Sequence, residues 1–329
     1  MRRPWLSRGA TCALVIAVLV LLASGGFLAA YVGNGQDQVL VRNSLLYEVA
    51  GSMEAFRAAP DAIAAPAEER STLPPALRDD LAALDTGQAF TTALALVRYL
   101  DTPGPPVGGQ IASGSLQALA TIRAGAGGYC ADYTQVFMML AAAAGIPARE
   151  WGFSFRGYGG DGHAVVEVYD AELAQWVFLD VFNGFYVTGP DGRPLAFLQL
   201  RRGLLDGSIP ATAIVTVTDV SPFKSPERIM HYLRRGISRA FLWHGAAAGE
   251  AERQPVLRWL GERSRALSQL GAIVLGLHPR MLIVPAPEER AALLELRLVG
   301  TSARGTLLAG GAVLALVGAA LWRNRRRDD

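Results

Sequence analysis

One cysteine outside the apolar ends of the chain is the residue best suited to covalent chemistry. Cys130 lies in GGYCADYTQVF, at the predicted first turn of a helix, whereas Cys12 lies in an apolar N-terminal run. A lone thiol has no partner for an internal disulfide, so it is either a buried, inert side chain or a reactive nucleophile. The surrounding residues and those downstream distinguish these two alternatives.

A thiol attacks carbonyl carbons only as the thiolate, and two features favour that form. A helix N-terminus stabilises an anion through its unpaired N–H groups and its dipole, and a neighbouring imidazolium adds to this effect. Cys130 is placed for the first effect, and His163 in GHAVVEVY is the candidate for the second. The amide of Cys130 is also a ready donor to the oxyanion of a tetrahedral intermediate.

His163 and Asp180 are expected to face each other across a β-hairpin. Residues 163–169 and 175–181 alternate as strands do, and 170–173 is the predicted turn. Counting back from this turn sets His163 opposite Asp180, where directly opposed Cβ atoms lie about 4.5–5.5 Å apart. The carboxylate would then orient the imidazole toward a thiolate. A register slip of one residue would place the two side chains on opposite faces.

Two other polar residues compete with Asp180 as the partner of His163. Glu167 lies four residues further along the same strand, about 13 Å away at the rise of a strand. Asn183 is the closer rival, because it follows Asp180 by three residues. The remaining histidines are interpreted as structural, since no cysteine or acidic cluster stands near them at metal-ligand spacing; they are His231, His244 and His278. We therefore expect no metal and no cofactor.

Two long apolar runs near the ends of the chain predict two transmembrane helices. The first lies within the uncharged stretch 9–35, and the second, GTLLAGGAVLALVGAALW, covers residues 305–322 and only just reaches spanning length. Arginines precede the first run and follow the second; they are Arg2, Arg3, Arg8, Arg323, Arg325, Arg326 and Arg327. Both termini are therefore expected in the cytoplasm and residues 36–304 outside it. A cleaved signal peptide is the alternative for the first run.

Composition limits the possible function and indicates a source. The chain has 329 residues, 51% of them hydrophobic, and a net charge of +2, which is too small to imply nucleic-acid binding. Of its 31 basic residues only Lys224 is a lysine, a bias typical of a GC-rich bacterial genome. A large extracytoplasmic region without disulfides fits the bacterial periplasm, beyond the plasma (inner) membrane.

These features divide the chain into seven predicted segments. They are a cytoplasmic tail (1–8), a transmembrane helix or signal anchor (9–35), a helical segment with a linker (36–84), a catalytic domain (85–200), an uncharacterised extracytoplasmic region (201–304), a transmembrane helix (305–322) and a cytoplasmic tail (323–329).

Three sequence blocks together resemble the transglutaminase-like superfamily. They are GGYCADYTQVFMMLAAAAGIPAREWGF, GHAVVEVY and WVFLDV; their order and spacing match, and the resemblance covers roughly residues 85–185. The resemblance implies an α+β, papain-like core in which a cysteine helix packs on an antiparallel sheet. It also implies Cys130 as nucleophile, His163 as general base and acid, and Asp180 as the residue that orients His163.

The sequence departs from this family in one respect that concerns the oxyanion. Animal transglutaminases have a tryptophan upstream of the cysteine that helps to hold the oxyanion, and no tryptophan lies between Trp5 and Trp151 here. Gln110 and the neighbourhood of Tyr129 are the alternatives for that role. No acidic calcium-loop pattern is present, so the resemblance does not imply calcium dependence.

The predicted function is that of a membrane-anchored thiol enzyme acting on amide bonds outside the cytoplasm. If water attacks the thioester intermediate, the enzyme is a protease or amidase. If a lysine or a peptidoglycan amine attacks it, the enzyme is a cross-linking acyltransferase. The alternative is a non-catalytic binding or assembly module of the cell envelope, for example in polysaccharide export, which keeps the fold without the activity. A third hypothesis is that residues 190–304 recognise the substrate or cover the cleft.

Overall fold

A computed structural model describes residues 8–33, 35–58, 73–101, 114–218, 225–245 and 254–328 as a mixed α+β structure. The helices in these ranges are α1 (Arg8–Gly33), α2 (Gly35–Leu46), α3 (Pro75–Leu84), α4 (Ala89–Leu100), α5 (Ser115–Arg123), α6 (Cys130–Ala144), α7 (Phe197–Asp206), α8 (Pro226–Arg234), α9 (Pro255–Gly261), α10 (Arg265–Val274) and α11 (Arg290–Asp328). The strands are β1 (Tyr47–Val49), β2 (Ala148–Ser154), β3 (Gly162–Asp170), β4 (Gln175–Leu179), β5 (Phe185–Val187), β6 (Ile214–Thr216), β7 (Ala240–His244) and β8 (Arg280–Ile283).

Six of these strands form one sheet in the described part of the chain, in the order β1-β8-β7-β2-β3-β4. The neighbouring strands are antiparallel except at one edge, where β1 runs parallel to β8. Strands β7 and β8 come from residues 201–304, the predicted uncharacterised extracytoplasmic region. This segment therefore shares the sheet that carries the predicted site.

The hairpin of β3 and β4 has a register two residues away from the predicted one. Asp170 pairs with Gln175, and Tyr169 pairs with Trp176 rather than with Ala174. Ala174 has φ +51°, a left-handed conformation that keeps it in the turn and out of β4. The expectation that His163 lies directly opposite Asp180 is therefore wrong. A shift by two residues nevertheless keeps both side chains on their predicted face.

Helices cover both faces of the sheet, and the side chains of β3 and β4 alternate between the two faces as predicted. Val166 and Leu179 belong to a core that includes helices α3 to α6. Val165 and Phe178 belong to a second core that includes α7 and α8. Neighbouring strand residues thus point to opposite layers, which fixes the direction of every side chain along these strands.

Helix α6 is anchored by its apolar side and ends at a glycine. Val136, Phe137 and Leu140 are fully buried in the first core. Gly145 follows the last helical residue with φ +75°, the left-handed conformation that glycine adopts readily at a helix end. The packing holds the N-terminus of α6, and with it Cys130, in a fixed position against the sheet.

The two ends of the chain form helices that lie against each other. Ser24 Oγ of α1 donates a hydrogen bond to the Thr306 carbonyl of α11 (3.0 Å). The two helices approach closely at Gly310 of α11, where a Cβ atom would lie only 2.4 Å from Ser24 Oγ. Among the described residues, one stretch, Pro287–Ala320, is long and apolar enough to cross a membrane. The apolar stretch of α1, Leu14–Phe27, is shorter, so the expected pair of transmembrane helices is not confirmed.

Candidate active site

Cys130 is the first residue of α6 and remains partly exposed. The residue before it, Tyr129, is extended, and its amide donates to Asp132 Oδ2 (2.9 Å). Asp132 thus satisfies a backbone donor and places a carboxylate in the first turn, both of which stabilise a helix start. Gly127 precedes this turn with φ +78°, a left-handed conformation that glycine adopts readily. The thiol therefore lies at the electropositive end of the helix.

His163 and Asp180 form a buried pair beside the sheet. Their exposed fractions are 5% and 0%, and His163 Nε2 lies 2.7 Å from Asp180 Oδ2. The backbone of Asp180 pairs with Phe185 across a tight loop in which Gly184 has φ +64°. Because of the register shift, the contact joins diagonal rather than directly opposed neighbours, a separation that long side chains can span.

The imidazole of His163 contacts the thiol of Cys130 as well as the carboxylate of Asp180. Nε2 is taken by Asp180, which leaves Nδ1 for the hydrogen bond with the thiol. Burial lowers the pKa of His163, but the negative charges of Asp180 and Cys130, and hydrogen bonds to both, raise that pKa to about 10. The ring therefore keeps its proton at neutral pH when the thiol is ionised.

Asn183, the closer rival in the sequence, supports Asp180 instead of replacing it. Its backbone amide donates to Asp180 Oδ1 (3.0 Å), and its side-chain Nδ2 donates to Asp180 Oδ2 (2.8 Å). The same Nδ2 lies 3.3 Å from His163 Nε2. Together with the imidazole, Asn183 fixes both oxygens of the carboxylate, and fixed partners of this kind hold a charged group in one orientation.

Aromatic rings enclose the imidazole, and the sequence indicated none of them. Edge-to-face contacts join His163 to Phe153, Phe182 and Tyr232, with ring centroids 5.6, 6.1 and 5.4 Å away. Phe182 also contacts Tyr133 of α6 in the same manner (5.3 Å). These rings shield the His163–Asp180 pair from water. Tyr232 lies in α8, far along the chain, so no local pattern could have pointed to it.

Glu167, the other rival carboxylate, lies outside this cluster. It is fully buried and accepts hydrogen bonds from Arg149 Nε (2.8 Å), from the indole of Trp151 and from the Phe197 amide (2.6 Å). It thus joins β2 and β3 to the start of α7. Glu167 and Arg149 line an open groove of about 770 Å³, and neither Cys130 nor His163 is among the lining residues.

The predicted substitutes for the upstream tryptophan, Gln110 and the neighbourhood of Tyr129, stay predictions. Gln110 lies outside the described residues, and the side chain of Tyr129 is 46% exposed. Within the described ranges, no three side chains of the His, Cys, Asp or Glu types come together as a metal site would require. The candidate site consists of a thiol, an imidazole and a carboxylate.

Comparisons with known proteins agree with the sequence resemblance. Residues 85–181 match the sequence model of the transglutaminase-like superfamily. No curated protein matches the chain significantly.

Two solved structures share part of the chain at low similarity. A candidate cysteine protease from Cytophaga hutchinsonii is 18% identical, with 49% of this chain and 44% of that chain covered and a TM-score of 0.27. The periplasmic domain of TgpA from Pseudomonas aeruginosa, bound to ethylmercury, is 22% identical, with 44% and 49% covered and the same TM-score. This chain thus spans under half the length of either structure, and likenesses this low do not bear on its activity.

Proposed function

We propose that this chain, whose residues 85–181 belong to the transglutaminase-like superfamily, is a thiol enzyme that acts on amides through a thioester on Cys130. One observation carries the proposal: the first residue of α6 contacts a buried His163–Asp180 pair. Burying a charged pair has a large desolvation penalty. A non-catalytic protein of the same fold would gain little from such a pair. A nucleophile, a proton carrier and an orienting carboxylate account for all three residues.

The first half of the reaction follows from this arrangement. The Cys130 thiolate attacks the carbonyl carbon of an amide, and a carbon–sulfur bond forms while the carbonyl oxygen takes the negative charge. The oxygen lies near the N-terminus of α6, where backbone N–H groups stabilise it. As the carbon–nitrogen bond breaks, His163 gives its proton to the leaving amine, and the acyl group remains on sulfur as a thioester.

The second half releases the acyl group and restores the enzyme. Water or an amine attacks the thioester, and His163, now neutral, accepts the proton that the attacking group loses. The carbon–sulfur bond breaks and the thiolate returns beside the imidazolium. Water gives amide hydrolysis, and an amine gives acyl transfer; amides of proteins or of peptidoglycan are the substrates we propose.

The membrane helix supports the further proposal that the enzyme acts outside the cytoplasm of a bacterium. Residues 287–320 include a stretch of spanning length, α1 lies against it, and arginines flank the outer ends of both helices. Positive residues near a membrane span stay on the cytoplasmic side. Both termini would then be cytoplasmic, and the sheet with Cys130 would face the periplasm from the inner membrane.

Acylation of Cys130 tests the proposed reaction. The full chain in detergent, with Cys12→Ser to remove the second thiol, is treated with p-nitrophenyl acetate. We expect a burst of nitrophenol and an acetyl group on Cys130 in mass spectra of the digested protein, and neither in Cys130→Ala. An unmodified Cys130 would contradict the proposal and favour a binding or assembly module.

Labelling of the same thiol in spheroplasts tests the orientation in the membrane. In the Cys12→Ser background, a membrane-impermeant maleimide should label Cys130 without permeabilisation. A matched control carries Cys130→Ser together with Asp329→Cys in the cytoplasmic tail, and it should be labelled only after the membrane is opened. The reverse pattern would show that the catalytic domain faces the cytoplasm.

A further inference from the structure

Tyr232 of α8 contacts the candidate active site from outside the segment that matches the family. Its ring lies edge-to-face against His163, with centroids 5.4 Å apart and an angle of 77° between the planes. A second contact of the same kind joins it to Phe155 (5.0 Å). The ring is thus held between the imidazole and the residue that follows β2.

Tyr232 lies close enough to Cys130 for the two side chains to interact electrostatically. Tyr232 and Cys130 are both partly exposed, whereas His163 and Asp180 are buried. Burial raises the pKa of Tyr232, and the negative charges of Cys130 and then of Asp180 raise it further. The raised pKa keeps the phenol protonated, so Tyr232 is a hydrogen-bond donor.

Helix α8 holds Tyr232 in this position. Its apolar side chains Ile229, Met230 and Leu233 are buried in the second core, and Ser225 Oγ accepts the Arg228 amide at the start of the helix (3.4 Å). Just after α8, a Cβ on Gly236 would lie 2.8 Å from Phe153. The chain therefore passes close against the strand that carries Phe153. A donor fixed in this way loses little entropy when it binds a transition state.

We propose that Tyr232 is a further catalytic residue, whose hydroxyl donates a hydrogen bond to the carbonyl oxygen of the amide as Cys130 adds to it. The assignment rests on the proposed function. It gives residues 201–304 a direct part in the reaction and supplies a side-chain donor where the family resemblance left the role of the upstream tryptophan unfilled.

The proton of Tyr232 stays on the phenol throughout the reaction. When sulfur adds to the carbonyl carbon, the electron pair of the carbon–oxygen π bond moves onto oxygen, and the hydroxyl donates to that oxyanion. When the carbon–nitrogen bond breaks, the carbonyl re-forms, the amine leaves with the proton from His163, and the hydrogen bond weakens. Tyr232 therefore stabilises the tetrahedral intermediate more than the bound amide.

Tyr232→Phe tests the assignment, because it removes the hydroxyl and keeps the ring against His163. In the full chain with Cys12→Ser, acylation of Cys130 by p-nitrophenyl acetate should slow by about 10²-fold or more, the effect of losing one oxyanion donor. Alkylation of Cys130 by iodoacetamide passes through no oxyanion, so its rate should stay within about twofold. Tyr169→Phe, which removes a hydroxyl beside Trp176, is the control for both reactions.

The two reactions separate the possible outcomes. Slower acylation with unchanged alkylation supports the assignment, and acylation within about threefold of the parent overturns it while leaving the proposed function intact. Slowing of both reactions to the same extent would also overturn it, since Tyr232 would then act on the thiol or the imidazole. A parent protein that alkylates but never acylates would overturn the proposed function and this assignment together.

Discussion

His163→Ala is expected to lower the rate at which p-nitrophenyl acetate acylates Cys130 by about 10²- to 10⁴-fold at pH 7, the usual contribution of an acid–base group. The substitution removes the imidazolium that pairs with the thiolate. It also leaves Asp180 as a fully buried carboxylate without its cationic partner, which disfavours a second negative charge on Cys130. The measurement is the burst of nitrophenol from the full chain in the Cys12→Ser background.

His278→Ala is the matched control for this prediction. His278 is only partly buried; burial first, and then the charge of Arg42, lowers its pKa to about 4, so it is neutral at pH 7. Its Nδ1 lies 2.9 Å from the Pro279 carbonyl, in another part of the molecule. Acylation in this control should match the parent protein. An equal loss in both variants would show that the His163 effect is one of stability.

Asp180→Asn is expected to impair both the reaction and the fold. Without the carboxylate, His163 loses the charge that holds its proton and orients its ring, so acylation should fall by about 10²- to 10⁴-fold. Removal of one partner from a buried ion pair also lowers the free energy of unfolding, by about 3 kcal/mol at pH 6. Urea unfolding and burst kinetics on the same preparation measure the two effects.

The stability difference caused by Asp180→Asn should depend on pH with a defined sign. The pKa of His163 rises from its ordinary value of 6.5 in the unfolded chain to about 10 in the folded protein. The stabilisation from the charged pair is therefore fully present below pH 6.5 and is lost as the pH rises toward 10. The gap in unfolding free energy between parent and variant should shrink over that window. A gap that widens with pH would contradict the assignment of an ion pair.

Glu167→Gln distinguishes the general effect of losing a buried carboxylate from the specific effect of losing the carboxylate of Asp180. Glu167 is as buried as Asp180 and lies in the same sheet, but it binds Arg149, Trp151 and the start of α7. Its substitution should also destabilise the protein, because Arg149 is left with an uncompensated charge. Acylation of Cys130 should stay within about threefold of the parent. Equal losses from both substitutions would argue against a special role for Asp180.

Features that depend on local pattern could be predicted from the sequence. The sequence around Cys130 predicted the first turn of a helix there, and Cys130 is the first residue of α6. Alternation along β3 and β4 predicted which side chains share a face, and the two cores divide them accordingly. Both patterns are set by the geometry of a single element, which a short stretch of sequence specifies.

Features that depend on distant parts of the chain could not be predicted. The register of the hairpin is set by one residue, Ala174, in a left-handed conformation that alanine seldom adopts. Tyr232 reaches His163 because α8 packs on the second core, and β7 joins β2 across a long stretch of intervening chain. Such contacts are tertiary, and neither secondary-structure propensity nor hydrophobic periodicity predicts them.

The central claim is that His163 and the thiolate of Cys130 form an ion pair, and the pH dependence of Cys130 alkylation tests it most directly. Iodoacetamide reacts with the thiolate, needs no substrate site, and can be followed by mass spectrometry in the full chain with Cys12→Ser. The ion pair predicts that the parent protein reaches half of its maximal rate well below pH 7, and that His163→Ala shifts this midpoint to about 8.5 or above, as for a free thiol. A midpoint near 8.5 in both proteins would contradict the ion pair and, with it, the proposed mechanism.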